Sequence, residues 1–409
     1  MQSTRNIVSN NKIWMLIIFV VGAIPALVSD FDGSAYTYAA PYILSRISLP
    51  TFYFGILISG YAAGIAIFSL VGGFMFDRFS PKSTVVYSVL LFSIFTILTG
   101  YSTNAIELVI SRVLVGFGVG MFQSASVSFL GDANPETRGA GVMVWGVLAG
   151  LGTFIAPYII LPFLPNYRIP FLISGILGFI VAAVFYFVVP PVFKKEEKLK
   201  NPFRHVLNRY SVFPMVSMFF FGFTLLGLLG YYSDFLSSVV GFGKTSVAII
   251  ISFLGVGGVI FGIPAGIFSD MVGRKIVLII AITLISISML AITYAPRDLI
   301  LFLLATLAFG TGWSIFSILS PATGQDMVRD EAVGSVSGAI LMTFNIGGII
   351  GPLMIGLILA KGFTLRAGFL YFIDIPAILA LLLTIAMKYP KNIKEIVKQQ
   401  LLEDASISK

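Results

Sequence analysis

Five ionisable side chains fall inside long apolar stretches, where charge is costly and points to function: Asp30, Asp32, Arg112, Asp234 and Asp374. Counted from Ile13 at about 1.5 Å per helical residue, Asp32 lies roughly 29 Å along its stretch, and Arg112 lies about 8 Å below Glu107 in another. These depths let the two pair. A carboxyl desolvated there takes up a proton, and a guanidinium beside it stabilises the ionised form or receives an anionic solute. Proton coupling is therefore expected of Asp32, with Asp30 and Arg112 sharing the role. Two competing readings are a static buried ion pair and an Asp30 that faces water. Asp32 and Tyr36 share a helix face, and Gln123 follows Arg112 by eleven residues on one face of its own helix. With Tyr231, Tyr232, Trp313 and Asn345 these side chains are candidate solute contacts, although each tyrosine and Trp313 reads equally well as an interfacial anchor.

The composition narrows the chemistry further. There is no cysteine and a single histidine, His205, so thiol nucleophiles, thiolate metal sites and histidine clusters are excluded; neither an enzyme nor a cofactor is expected. Of 409 residues, 57% are hydrophobic and 11% charged, with a mean hydropathy of +0.99. Twelve apolar runs lie between Ile13 and Met387. At about 20 residues per crossing they use roughly 250 positions, which predicts an all-α protein of twelve membrane spans. The first run is too long for a signal peptide. With the termini inside, the inner segments hold 19 of the 26 Lys and Arg and the outer segments six, which places both termini in the cytoplasm of a cell-membrane protein. The same scatter of basic residues over seven short segments argues against nucleic acid as a partner.

One charged break divides the spans six and six. The chain thus reads as a bundle over 1–192, a cytoplasmic linker over 193–210 that holds His205, a second bundle over 211–389, and a cytoplasmic tail over 390–409. The bundles are repeats. Gly73 and Asp77 recur as Gly266 and Asp270 at an offset of 193, Phe117-Gly118 as Phe309-Gly310 at 192, and Ala156-Pro157 as Gly351-Pro352 at 195. A parallel repeat of six helices is the architecture of a rocking transporter. In the repeated loop, Gly73 and Gly266 permit a neighbouring helix to approach. Asp77 and Asp270 can accept from that helix's first amides, and Arg78 and Arg274 can close an ion pair, so the loops are expected to form a cytoplasmic gate. Adding the offset to Asp32 and Arg112 gives Gly227 and Ala305, so neither charge is repeated.

At these residues, from about 10 to 390, the chain resembles the major facilitator superfamily. Gly266, Asp270, Gly273, Arg274 and Lys275 fit that family's loop pattern closely; in the first copy, Gly73, Asp77, Arg78 and Lys82, the residues Ser80 and Pro81 replace the usual Gly and Arg, which implies a weaker lock. Arg112, Gly116 and Gly120, then Pro135, Glu136, Arg138 and Gly139, form a second mark. Gly146, Gly150, Gly152 and Pro157, mated with Gly347, Gly348, Gly351 and Pro352, are similar to an antiporter motif, with Ala156 in place of its glycine. The resemblance implies that the first, fourth, seventh and tenth helices line a central cavity. Asp30-Phe31-Asp32-Gly33, with Pro41 beyond it, is similar to the first-helix signature of the aromatic-acid and metabolite proton symporters. Sugar porters share the Pro135–Gly139 turn, but their turn after the sixth span is replaced by Pro190-Pro191-Val192-Phe193-Lys194.

The expectation is a monomeric secondary transporter that alternates access by rocking two halves and couples protons to a small organic, anionic solute across the lipid bilayer. The alternatives are a drug or sugar carrier, exporting or importing, and a membrane sensor or scaffold that transports nothing.

Overall fold

Apolar side chains alone do not make a span, because every backbone N–H and C=O in lipid must also find a partner inside the chain, and the helix does this within one segment. A computed structural model describes residues 12–49, 52–133, 138–189, 206–207, 210–328 and 332–388. Among the described residues there are twelve helices long and apolar enough to cross a membrane and no strand. The first half comprises α1 (Lys12–Arg46), α2 (Phe52–Arg78), α3 (Pro81–Tyr101), α4 (Ala105–Ala133), α5 (Arg138–Ile160) and α6 (Arg168–Val188). The second comprises α7 (Val212–Asp234, continued by a π-helical turn Phe235–Val239), α8 (Lys244–Val272), α9 (Arg274–Tyr294), α10 (Leu299–Gln325), α11 (Val333–Ala360) and α12 (Leu365–Ala386, with a π-helical turn at Leu370–Asp374). The linker with His205 and the tail over 390–409 lie outside the described residues, apart from Val206, Leu207 and Tyr210.

Local chemistry explains the boundaries. Gly273 joins α8 to α9 at φ +96°, a left-handed conformation that a side chain would strain. Pro81 opens α3, where its missing N–H costs nothing. The side chains of Asp298 and Thr364 cap α10 and α12 by accepting from Leu301 N at 3.0 Å and Ala367 N at 3.2 Å. Where the π-turn disturbs α12, hydroxyls serve its carbonyls: Thr224 donates to Ile373 O at 3.1 Å and Ser286 to Ala377 O at 3.2 Å. Asp374 accepts from Thr293 at 3.1 Å, which ties α12 to α9. Asp234, expected at membrane depth, instead lies exposed at the end of α7, beyond the span that closes at Tyr232.

The repeat is visible in the packing. In the first half α2 packs on α4, α1 on α5, and α3 on α4 and α6; in the second, α8 packs on α10, α7 on α11, and α9 on α10 and α12. The two halves meet through α2, α4 and α5 on one side and α8, α10 and α11 on the other. Equivalent glycines make close joints, and the packing matches Gly310 with Gly116, at an offset of 194, rather than with Gly118. Gly116 lies against the Tyr61 carbonyl and Gly310 against that of Leu254, while Gly152 lies against the Leu27 carbonyl and Gly347 against that of Phe219. A Cβ at any of the four would strike backbone, so small residues set the distance between helices, as in other membrane bundles. Gly116→Leu and Gly310→Leu are accordingly expected to destabilise the protein by about 1–3 kcal/mol through overpacking, seen as a lowered Tm in detergent. Gly255→Leu, where a Cβ would meet nothing within 4 Å, should leave Tm unchanged.

Candidate functional site

Asp32 and Arg112 are 80 residues apart in the chain and in contact in the fold. Arg112 Nη1 lies 3.1 Å from Asp32 Oδ2, with the side chains 2% and 0% exposed. Ser174 Oγ of α6 stands 3.5 Å from Oδ1, and Thr96 of α3 flanks the same carboxylate. The guanidinium is held between two rings, Tyr36 of α1 at 4.2 Å and Tyr61 of α2 at 4.6 Å from centroid to Cζ. Its Nε has no hydrogen-bond partner among the described residues. Removing either member of such a pair leaves a buried charge uncompensated, which costs about 3–5 kcal/mol.

The other candidates spread over the two halves. Asp30 is half-buried on α1, two residues before the sealed Asp32. Tyr36, expected among the solute contacts, is 4% exposed and stacks on Arg112. Tyr232 is likewise buried and shares a hydrogen bond with Thr306 of α10, inside the second half. Tyr231 is partly exposed, and its hydroxyl donates to Pro352 O at 3.4 Å. Gln123 and Trp313 are partly exposed; Asn345 is buried and donates to Leu341 O at 2.8 Å within its own helix.

A second constellation joins the halves where α2 meets α3 and α8 meets α9. Asp77, at the end of α2, accepts from Gly334 N at 2.8 Å and Ser335 N at 2.6 Å, the first amides of α11. Asp270, at the end of α8, accepts from Gly139 N at 2.9 Å and Ala140 N at 3.0 Å, the first amides of α5. Each carboxylate fills donors that a helix start leaves without partners and sits at the positive end of the helix dipole. Gly73 packs on the Gly334 backbone and Gly266 on that of Gly139, which is what brings each acid within reach.

The two latches differ in their arginines. Arg274 Nη1 lies 2.9 Å from Asp270 Oδ1 and its Nε bonds Asp326 Oδ2. Asp326 Oδ1 takes Arg138 Nη1 at 2.6 Å, and Arg138 Nε donates to Gly131 O at 2.8 Å. One carboxylate thus holds an arginine from each half. Arg78, expected to close the matching ion pair, is exposed, with its guanidinium 5.7 Å from the Phe74 ring and no ion pair among the described residues. The physical reason is positional: Arg274 opens α9 directly after Gly273, whereas Ser80 and Pro81 occupy the corresponding places before α3 and leave Arg78 at the end of α2. Asp326, Arg138 and the neighbouring Gln325, which donates to Val127 O at 3.3 Å and Ser337 Oγ at 2.9 Å, had not been singled out as gate residues. The signal is present in the repeat, since Asp132 and Asp326 correspond at an offset of 194.

With this geometry in hand, the comparisons are decisive about family. A model described as Major Facilitator Superfamily matches residues 22–352 and 257–404. The chain belongs to the major facilitator superfamily. It is 26% identical over 391 residues to the hexuronate transporter of Bacillus subtilis (strain 168), covering 87% of this chain and 90% of that protein. It is 23% identical over 332 residues to the arabinose-proton symporter of the same organism, covering 69% and 72%. Among solved structures, the proton:xylose symporter XylE superposes with a TM-score of 0.80 at 16% identity, covering 95% of this chain and 99% of that one. The outward conformation of FucP gives 0.76 at 13% identity, covering 91% and 99%. The protein is therefore a multi-pass membrane transporter of the superfamily and not an enzyme.

Asp326 is the keystone of the closed face. Asp326→Ala leaves Arg138 and Arg274 short of a buried counter-charge, at a cost of about 3–5 kcal/mol, and is expected to open this face. Spin labels placed at the exposed Phe79 and Met271, in a chain with no native cysteine, should then report a longer distance by pulsed EPR. Arg78→Ala should leave that distance unchanged.

Proposed function

We propose that this transporter is a proton-coupled symporter of a small organic anion, with Asp32 as the proton-binding group and Arg112 as its switchable counter-charge. The observation that carries the reading is the buried Asp32–Arg112 pair, found in one half and absent from the other. Architecture alone would place such a pair in both repeats; at the equivalent positions the second half has Gly227 and, by the match of Gly116 with Gly310, Thr306, neither of them charged. When Asp32 is ionised the pair is neutral as a unit. When it binds a proton, Arg112 loses its partner in a water-poor site and gains affinity for another anion, so proton and anionic solute favour each other's binding. The unbonded Nε is one donor already free for that purpose.

The solute class has support from the relative matched over most of the chain, which is named for a hexuronate, a sugar carrying a carboxylate. The likeness to an arabinose-proton symporter favours a second reading, in which the solute is a neutral sugar and Arg112 serves Asp32 alone. In either case the protein acts as a monomer in the cell membrane with both termini cytoplasmic. The face held by Asp77, Asp270 and Asp326 is then the cytoplasmic gate, closed here. Partly exposed Gln123, Tyr231 and Trp313, with Asn345, are assigned to solute contact.

Purified protein in liposomes under an inward proton gradient should accumulate a hexuronate, and a protonophore should abolish the accumulation. Asp32→Asn is expected to remove gradient-driven accumulation while leaving solute exchange; unchanged accumulation would sink the assignment. Arg112→Lys loses the stacked, forked donor set and should lower uronate transport roughly ten- to a hundredfold, the worth of one charge-assisted hydrogen bond of about 1.5–3 kcal/mol. If uronate transport survives that change and arabinose is carried equally well, the neutral-sugar reading stands.

A further inference from the structure

The cluster around Asp32 is sealed on nearly every side. Asp32, Thr96, Arg112, Ser174 and Tyr36 are all buried; Tyr61 alone among the six retains partial exposure. Its ring covers the guanidinium from the α2 side, within electrostatic reach of both Asp32 and the half-exposed Asp30. The backbone beneath the ring is fixed. A Cβ at Gly64 would fall 2.5 Å from Val113 O, and the Tyr61 carbonyl lies against Gly116, one turn beyond Arg112, so α2 and α4 are in backbone contact here. The side chain is what can move, at the cost of the hydrogen bond between its hydroxyl and Ser29.

The repeat shows that the joint itself does not require a tyrosine. The equivalent contact in the second half is Gly310 against the Leu254 carbonyl, and Leu254 packs as an ordinary buried residue where no arginine needs covering. A ring over a cation is held far more weakly than the two members of a buried ion pair hold each other. Swinging the ring is therefore the cheaper way to let water reach Asp32.

We propose that the Tyr61 ring is a door on the proton path: in this conformation it shuts Asp32 off from water and from Asp30, and it swings aside when Asp32 exchanges its proton. Tyr61 is a positioning residue, since it acts through access to another group. The inference rests on the assignment of Asp32 as the proton site, and its own readout, carboxyl labelling, is separate from the transport assay that tests that assignment.

The protein in liposomes is treated with a water-soluble carbodiimide and glycine ethyl ester. The carbodiimide adds to an accessible carboxyl, and the amine then displaces the urea to leave an amide that peptide mass spectrometry locates. Asp30 should be labelled in every variant, which checks that the reagent reaches the site. Asp32 should stay protected in the wild type and in Tyr61→Phe, which keeps the ring, and should label several-fold more in Tyr61→Ala. Tyr61→Leu, which installs the residue the second half already uses at this joint, should give an intermediate gain and decides the matter if the alanine variant does not fold. Protection of Asp32 in both Tyr61→Ala and Tyr61→Leu overturns the proposal, as does labelling of Tyr61→Phe to the alanine level. Loss of protection in Tyr61→Ala together with full proton-driven accumulation by Asp32→Asn would keep the door and reject Asp32 as the coupling group.

Discussion

A carboxylate withdrawn from water must find its compensation within a few ångströms, and the arrangement of this transporter follows from how its acids meet that demand. Asp32 does so with a guanidinium, Asp77 with two backbone amides, Asp270 with two amides and an arginine, and Asp326 with two arginines drawn from different halves. Each solution fixes the spacing of the helices that supply it. Compensation within one half, as for Asp32, survives a movement of the halves; compensation between halves, as for Asp77, Asp270 and Asp326, does not. The same electrostatic requirement therefore separates the groups that stay together during transport from those that must part.

Much of this was legible in the chain. The twelve spans follow from the length of the apolar runs, because lipid leaves a helix as the only economical state for each. The two-fold repeat was readable from glycine, aspartate and proline landmarks, since these residues occupy positions where backbone approach or capping admits few others. The depth of Asp32 and Arg112 could be counted from helical rise, so their meeting was foreseeable. Tyr36 was harder, because spacing places it on the face of Asp32 without saying whether that face looks into the bundle or toward the space between halves. Tyr61 gave no signal of its own; as one of seven aromatic residues in α2 it reads as packing, and only the contact with Arg112 distinguishes it. Asp326 and Arg138 sit at helix ends, where charge is the default, and their pairing spans 188 residues.

The gate is also less symmetric than the fold. Both halves keep the acid-to-amide latch, but the arginine component is concentrated at Asp326, while Arg78 lies exposed on the first side. Breaking the two sides therefore involves different physics. Among the described residues, opening the first side separates a carboxylate from the amides of a helix start. The other in addition pulls two buried cations from a shared anion and exposes them to water, where hydration recovers much of the cost.

The amide latches have an evolutionary side. Asp77 and Asp270 recognise peptide N–H groups, which every residue except proline carries, so Ser335 and Ala140 can change their side chains without losing the bond, whereas at Gly334 and Gly139 a Cβ would fall 2.4 Å from Gly73 O and Ser269 Oγ. The acids have no such latitude. Neutral drift should therefore be lopsided within the same contact, with Ser335 and Ala140 free to vary and the two acids and the two glycines held constant, the acids for their charge and the glycines for their volume.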